Sequence, residues 1–224
     1  LVSGLLLTSR QRRVRLMNRI PSLLVVDLDG TLLCPKGLVS KANRAALDTA
    51  RQSGMEVMIA TGRTHMECQE TLDAIDYAGP LVIASGAALV DWPSGRTLQR
   101  TPLLSADSRL ATATLQSMGH AVMLLKDRDV ADIDYTIIAS DRMHPTSQWW
   151  LDLHGVQCEH RDHLDDDQSL EYTLRIASLG TPDEMAMAAE QIEASLGDRV
   201  FWRHWPAVGR DGECVHMLEI FMRE

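Results

Sequence analysis

The run Leu23-Leu24-Val25-Val26-Asp27-Leu28-Asp29-Gly30-Thr31-Leu32-Leu33 limits what this chain can fold into more than any other stretch. Four apolar residues end in an acid, a second acid follows two positions on, and Gly-Thr comes next. The apolar run has the length of a buried parallel strand. Its two acids then sit at the carboxyl end of that strand, where open α/β sheets place their ligands. Two carboxylates this close repel each other unless a cation or a shared proton offsets the charge. The pair therefore points to a metal-assisted site. The competing reading is an acidic turn after an ordinary core strand.

The 224 residues suffice for one large domain or two small ones, and 45% hydrophobic content supplies a core. A net charge of -9 argues against a basic nucleic-acid surface. Cys34, Cys68, Cys158 and Cys214 are far apart and form no CxxC pair. A reducing, cytoplasmic compartment fits them better than a disulfide framework or a structural zinc site. No apolar run approaches the ~20 residues that cross a bilayer, so no membrane partner is expected. Leu5, Leu6 and Leu7 precede Arg10, Arg12, Arg13 and Arg15, the reverse of the order in a secretory signal. Residues 1–16 read as an extension before a start at Met17; a basic tether is the alternative.

From Ser40 the chain alternates between helix and strand signals. Ser40 can cap a helix through Ala42, Ala46 and Ala50 that stops at Gly54. Glu56–Ala60 is a second buried-strand run. A helix over Thr64–Ile75 and a third strand over Leu81–Ala84 follow, the latter ending in Ser85-Gly86-Ala87. Short links between such elements imply right-handed crossovers and a parallel sheet. Thr61-Gly62 stands between a strand end and a helix start. A hydroxyl, close-approaching backbone N–H groups and a helix dipole form a phosphate cradle there.

Asp27-Leu28-Asp29-Gly30-Thr31-Leu32 followed by Ile59-Ala60-Thr61-Gly62-Arg63 resembles the haloacid dehalogenase superfamily. The layout after the third strand and the tail Met217-Leu218-Glu219-Ile220 resemble its Cof-type branch. The resemblance covers Leu23 onward and implies an α/β fold: a Rossmann-like parallel-sheet core with an inserted α/β cap. It divides the chain into core at 17–100, cap at 101–217, and a return to the core at 218–224. It also implies a phosphatase acting on small phosphorylated metabolites such as sugar phosphates. Asp27 would attack phosphorus to give an aspartyl-phosphate. Asp29 would protonate the leaving oxygen and then activate water. Mg2+ would bind the Asp27 carboxylate and the Asp29 carbonyl. Thr61 and the Gly62 N–H would hold phosphoryl oxygens. Arg63 either meets substrate or braces its loop, with bracing favoured.

Two departures from the family pattern stand out. Ser85 occupies a position where the branch carries Asn, and its reach is shorter. The family also uses a lysine after the cap and a GDxxxD motif, and the 224 residues contain neither. Gly197-Asp198 reads as a helix-ending turn, and Asp211-Gly212 as a hairpin turn. The expectation is a chain that stops before half of its site, with little phosphatase activity and Leu23–Val26 at a sheet edge. A non-catalytic phosphate-binding module and a phosphomutase of the same fold stay open, and oligomeric state is not legible.

The cap reads as the hairpin Ala88–Asp91/Arg96–Leu98, helices over 107–118 and 182–196, and strands over 121–125, 135–139, 172–177, 200–202 and 215–218. His160, Asp162, His163 and Asp165–Asp167 read as a solvated loop rather than a metal site. Met185 and Met187 read as helix packing, and Trp149-Trp150 as packing ahead of sugar stacking. His204 and Trp205 face either a cleft or solvent.

Overall fold

The computed structural model of the chain describes residues 22–34, 36–209 and 212–223. It divides into two compact units, Leu1–Ala60 and Thr61–Glu224. The expected extension at residues 1–16 lies outside the described residues.

In the first unit, β1 (Leu23–Val26) pairs in parallel with β2 (Glu56–Ala60), Leu23 opposite Glu56 and Val26 opposite Ile59. Parallel neighbours need a crossover, and α1 (Lys41–Gln52) supplies it. The Ser40 hydroxyl accepts the Asn43 N–H at 3.1 Å, as an N-cap should. Gly54 takes φ +84 just past the helix end, a conformation that favours glycine. β1 is an edge strand, as expected for Leu23–Val26, and is less buried than its apolar run alone suggests. Leu23 and Val25 are 46% and 51% exposed, and β1 pairs with β2 alone among the described residues. One face of the strand is therefore uncovered.

The second unit starts with α2 (His65–Asp73) and a meander of β3 (Gly79–Ile83), β4 (Ala88–Trp92) and β5 (Thr97–Arg100). Both pairings are antiparallel, with Leu81 opposite Val90 and Leu89 opposite Gln99. A six-stranded sheet follows, built from β6 (Val122–Lys126), β7 (Tyr135–Ile138), β8 (Cys158–Arg161), β9 (Thr173–Gly180), β10 (Val200–Val208) and β11 (Cys214–Met222). Its order is β10-β11-β9-β6-β7-β8. All neighbours run antiparallel except β7 and β8.

Helices α3 (Ser105–Ser117) and α6 (Pro182–Leu196) pack on this sheet. Ala111 and Leu115 of α3 meet Met185, Ala188, Ile192 and Leu196 of α6, together with Val122, Leu124, Ile176, Leu218 and Ile220. The i, i+3, i+4 spacing of the α6 residues makes that stripe. The Thr181 hydroxyl caps α6 by accepting the Glu184 N–H, and Pro182 opens its first turn. Two short elements complete the unit, α4 (Arg128–Ala131) and α5 (Pro145–His154).

Several expectations shift here. Leu218, Glu219 and Ile220 do not leave the sheet at residue 218; they pair with Ser178, Ala177 and Ile176, and β11 runs on to Met222. The acid–histidine stretch is not wholly a solvated loop. His160 lies in β8, and Asp167 is buried, receiving the Lys126 ammonium at 2.5 Å. Met187 is 54% exposed, whereas Met185 is fully buried. Gly197 ends α6 as expected. Asp211 lies outside the described residues, but β10 and β11 flank it as an antiparallel pair.

Candidate active site

The two acids of the first unit sit on a tightly wound turn. Leu32 N–H donates to the Asp27 carbonyl at 3.2 Å and Leu33 N–H to the Leu28 carbonyl at 2.9 Å. Each bond spans five residues, the wide ring of a π-turn. Gly30 makes the winding possible at φ +74, whereas Asp29 stays extended at φ -75, ψ 124. Leu28 and Leu32 point inward and are buried, and Asp27 and Asp29 are exposed. The alternation of Leu and Asp thus sorts anchors from acids.

Asn43 holds this turn in place and escaped the sequence reading. Its side-chain amide donates to the Leu32 carbonyl at 2.7 Å, reaching from the first turn of α1. An isolated bridge between Leu33 and Val39 closes the loop that leads to that helix. The only hint in the sequence was the position of Asn43 three residues after the Ser40 cap, which shows helix phase but not target.

In the second unit, Thr61 is 5% exposed and starts a pair of laced loops. Thr61 N–H donates to the Val82 carbonyl at 2.9 Å, Ser85 N–H to the Thr61 carbonyl at 3.1 Å, and Ala84 N–H to the Arg63 carbonyl at 2.9 Å. The Thr61 hydroxyl accepts the Arg63 N–H at 3.2 Å. Ala84, Ser85 and Gly86 have φ values of +49, +57 and +102. Two consecutive non-glycine residues in the left-handed region each carry local strain of about 1 kcal/mol. The lacing to Thr61 and Arg63 holds them there. Gly62 is crowded: a Cβ would lie 3.2 Å from the Ser85 hydroxyl. The Arg63 guanidinium donates to the Glu67 carbonyl at 3.1 Å and so braces the start of α2.

A buried ion cluster from the six-stranded sheet meets these loops. Glu219 on β11 is 1% exposed. Its Oε1 accepts Arg175 Nη1 at 2.6 Å, and its Oε2 accepts Arg203 Nε at 2.8 Å and Trp205 Nε1 at 2.9 Å. Burial alone would raise the Glu219 carboxyl, but Arg175, the Trp205 N–H and Arg203 together hold it below the ordinary range. Arg175 also donates to the Gly62 carbonyl at 3.3 Å and to the Tyr135 hydroxyl at 2.8 Å. Arg203 Nη2 donates to the Ser85 hydroxyl at 2.7 Å. Pairwise registers explain the convergence, since Arg203 stands directly opposite Glu219 across the last hairpin.

The remaining candidates fall elsewhere. Trp150 packs edge-on against Tyr135 at 6.3 Å between ring centroids. His204 faces His216, with 3.2 Å between their Nδ1 atoms, and Trp205 is tied to Glu219. A cavity of about 290 Å³ is lined by His65, Lys126, Asp127, Arg128 and Asp134, and by neither Thr61 nor Ser85. Among the described residues no group of three or more His, Cys, Asp or Glu side chains can hold a metal ion. The acids of the turn still suit magnesium chemically. It takes hard oxygen donors, keeps several waters and commonly uses one or two carboxylates.

Residues 24–208 match the family model for haloacid dehalogenase-like hydrolases. The chain is 38% identical over 85 residues to a 5-amino-6-(5-phospho-D-ribitylamino)uracil phosphatase of Bacillus subtilis, covering 38% of this chain and 33% of the relative. It is 32% identical over 80 residues to a pyridoxal phosphate phosphatase of Escherichia coli, covering 36% and 29%. The matched stretches therefore span about a third of the length of these curated relatives. A solved haloacid dehalogenase-like hydrolase from Bacteroides thetaiotaomicron superposes with a TM-score of 0.69 at 16% identity, covering 91% of this chain and 71% of that one. A subclass IIB sugar phosphatase superposes at 0.67 and 14% identity, covering 90% and 70%. At such identities the likeness establishes the fold: a Rossmann-like core with an α/β cap.

Proposed function

The chain belongs to the haloacid dehalogenase-like hydrolase family, and from that membership we propose that it carries the phosphoryl-transfer half of a Mg2+-dependent phosphatase of small phosphorylated metabolites. The observation that carries this reading is the wound turn, which buries Leu28 and Leu32 and leaves Asp27 and Asp29 exposed at a strand end. The Asp27 carboxylate attacks phosphorus, the phosphorus–oxygen ester bond breaks, and the departing alkoxide takes a proton from Asp29. Water then gives a proton to Asp29 as it attacks the aspartyl-phosphate, releasing phosphate and restoring Asp27. Thr61 and the Gly62 N–H hold phosphoryl oxygens, so that charge building on them meets fixed donors. The Asp27 carboxylate and the Asp29 carbonyl would hold magnesium, which neutralises charge between nucleophile and phosphate when bound.

The named relatives act on a ribityl phosphate, pyridoxal phosphate and a sugar phosphate. Their common feature is a phosphomonoester on a small polar or aromatic body, and we assign this chain the same class of substrate. The free thiols Cys34, Cys68, Cys158 and Cys214 fit a cytoplasmic setting. The domain plan of core over 17–100 and cap from 101 is part of the same reading.

Radiolabelled acetyl phosphate with magnesium tests the chemistry. The expected result is a hydroxylamine-sensitive label on the chain that Asp27→Asn abolishes; a label that persists in Asp27→Asn, or no label, overturns the assignment. A second reading is phosphate binding without turnover, for which the Thr61-Gly62 loop would suffice. We expect these 224 residues by themselves to release little phosphate from a panel of sugar phosphates. Steady magnesium-dependent release abolished by Asp27→Asn would refute that expectation. Conversion of a sugar phosphate to its isomer would instead identify a phosphomutase.

A further inference from the structure

We propose that Arg203, on β10, is an anion-binding residue that reaches the Thr61-Gly62-Ser85 loops and holds the phosphoryl group of the substrate from the cap side. The inference rests on the phosphate-cradle reading of Thr61 and Gly62.

The charge balance of the cluster comes first. Glu219 is shared by two guanidinium groups, and both its oxygens are engaged. Arg175 is 5% exposed and turns its two terminal nitrogens on Glu219, Tyr135 and the Gly62 carbonyl, while its buried Nε has no hydrogen-bond partner among the described residues. It is a structural cation that neutralises the buried carboxylate. Arg63 and Glu67 add one charge of each sign nearby, Arg63 turned onto the Glu67 carbonyl and Glu67 receiving the Thr64 N–H. Two guanidinium groups share the one Glu219 carboxylate, and the more exposed of the two is Arg203. Its side chain is 43% exposed, so the charge is accessible from solvent.

Geometry comes second. Nε of Arg203 is fixed by Glu219, and its plane is supported by the Phe221 ring, 5.6 Å from the guanidinium carbon to the centroid. Nη2 points at the loops, donating to the Ser85 hydroxyl at 2.7 Å and lying 3.8 Å from where a Gly62 Cβ would stand. A guanidinium anchored at one edge offers its opposite edge as a planar fork, the shape that matches phosphate oxygens. Ser85 is held in the left-handed region, and this places its hydroxyl beneath that fork. The hydroxyl both accepts from Arg203 and keeps a proton to donate. Glycine at 62 completes the arrangement, because a side chain there would press on Ser85.

Titration of the purified 224-residue chain with inorganic phosphate, read by calorimetry, tests the proposal. The variants are Arg203→Met, Arg203→Lys and Thr61→Val. Loss of a charge-assisted contact predicts that Arg203→Met binds phosphate about tenfold or more weakly, whereas Arg203→Lys, which keeps the charge and loses the fork, recovers part of the affinity. Near-ultraviolet circular dichroism like that of the parent chain confirms that Arg203→Met keeps its packing; should it not, Phe221→Leu, which removes only the ring beneath the guanidinium, is expected to weaken phosphate binding severalfold. Unchanged phosphate affinity in folded Arg203→Met overturns the proposal, as does a parent chain that binds no phosphate. Failure of the phosphatase reading shows separately: Asp27 labelling is then absent while phosphate affinity still depends on Arg203. A loss in Thr61→Val without a loss in Arg203→Met would leave the cradle standing and remove Arg203 from it.

Discussion

Single side chains decide the shape of the Asp27 turn and, separately, of the Thr61 and Ser85 loops. Asn43 contributes no chemistry, yet its amide fixes the Leu32 carbonyl and with it the turn that presents Asp27 and Asp29. Asn43→Ala should cost about 1 kcal/mol of stability, the worth of one hydrogen bond, and lower Asp27 labelling more than that loss alone implies. Urea unfolding beside acetyl phosphate labelling separates the two effects. At Gly62 the constraint is space. Gly62→Ala places a methyl group 3.2 Å from the Ser85 hydroxyl, so phosphate affinity should fall severalfold while the unfolding midpoint barely moves. A midpoint shifted as strongly as the affinity would show instead that the whole loop pair had given way.

Elements carry the next layer. Besides the Glu219 cluster, the second unit buries the ion pair of Lys126 on β6 with Asp167, the ammonium also meeting Thr173, at 2.5 and 2.9 Å. Both side chains are at most 2% exposed. Removing one partner strands the other, so Lys126→Met should destabilise by about 3–5 kcal/mol, and adding Asp167→Leu should restore much of that. Thermal melts of the single and double variants read this out. β6 was legible because a continuous apolar run names a doubly covered strand, and β9 because Leu174 and Ile176 alternate with Thr173 and Arg175. β8 was not, because Cys158-Glu159-His160-Arg161 has neither alternation nor a run; it is a strand because β7 offers it an edge. The start of α5 was hidden as well, since His144 caps it through a ring nitrogen in place of a hydroxyl or carboxylate. Asp27, Asp29, Thr61 and Gly62 stand out in the sequence as candidates because each pair falls within one short local motif. Arg175, Arg203 and Glu219 could not. Their meeting depends on the register of three strands, and no short window contains it.

At the scale of the whole molecule, the Glu219 cluster ties stability to pH. Its carboxyl is held below its unfolded value. The stabilisation is therefore complete above the unfolded carboxylate range near 4.3 and is lost as pH falls through the folded value beneath it. Stability measured in urea should accordingly drop on acidification below about pH 4. Glu219→Gln should flatten part of that acid limb while destabilising the neutral protein by about 3–5 kcal/mol, because two guanidinium groups then face each other without a carboxylate. An unaltered acid limb in the variant would assign the acid sensitivity to other groups. The central strand of the large sheet sets a different kind of clock. Every residue of β9 is buried, and β11 and β6 flank it on both sides. Its amide hydrogens can reach water only when the unit opens as a whole. In deuterium they should be the last to exchange, and their rate should report the opening free energy of the entire second unit.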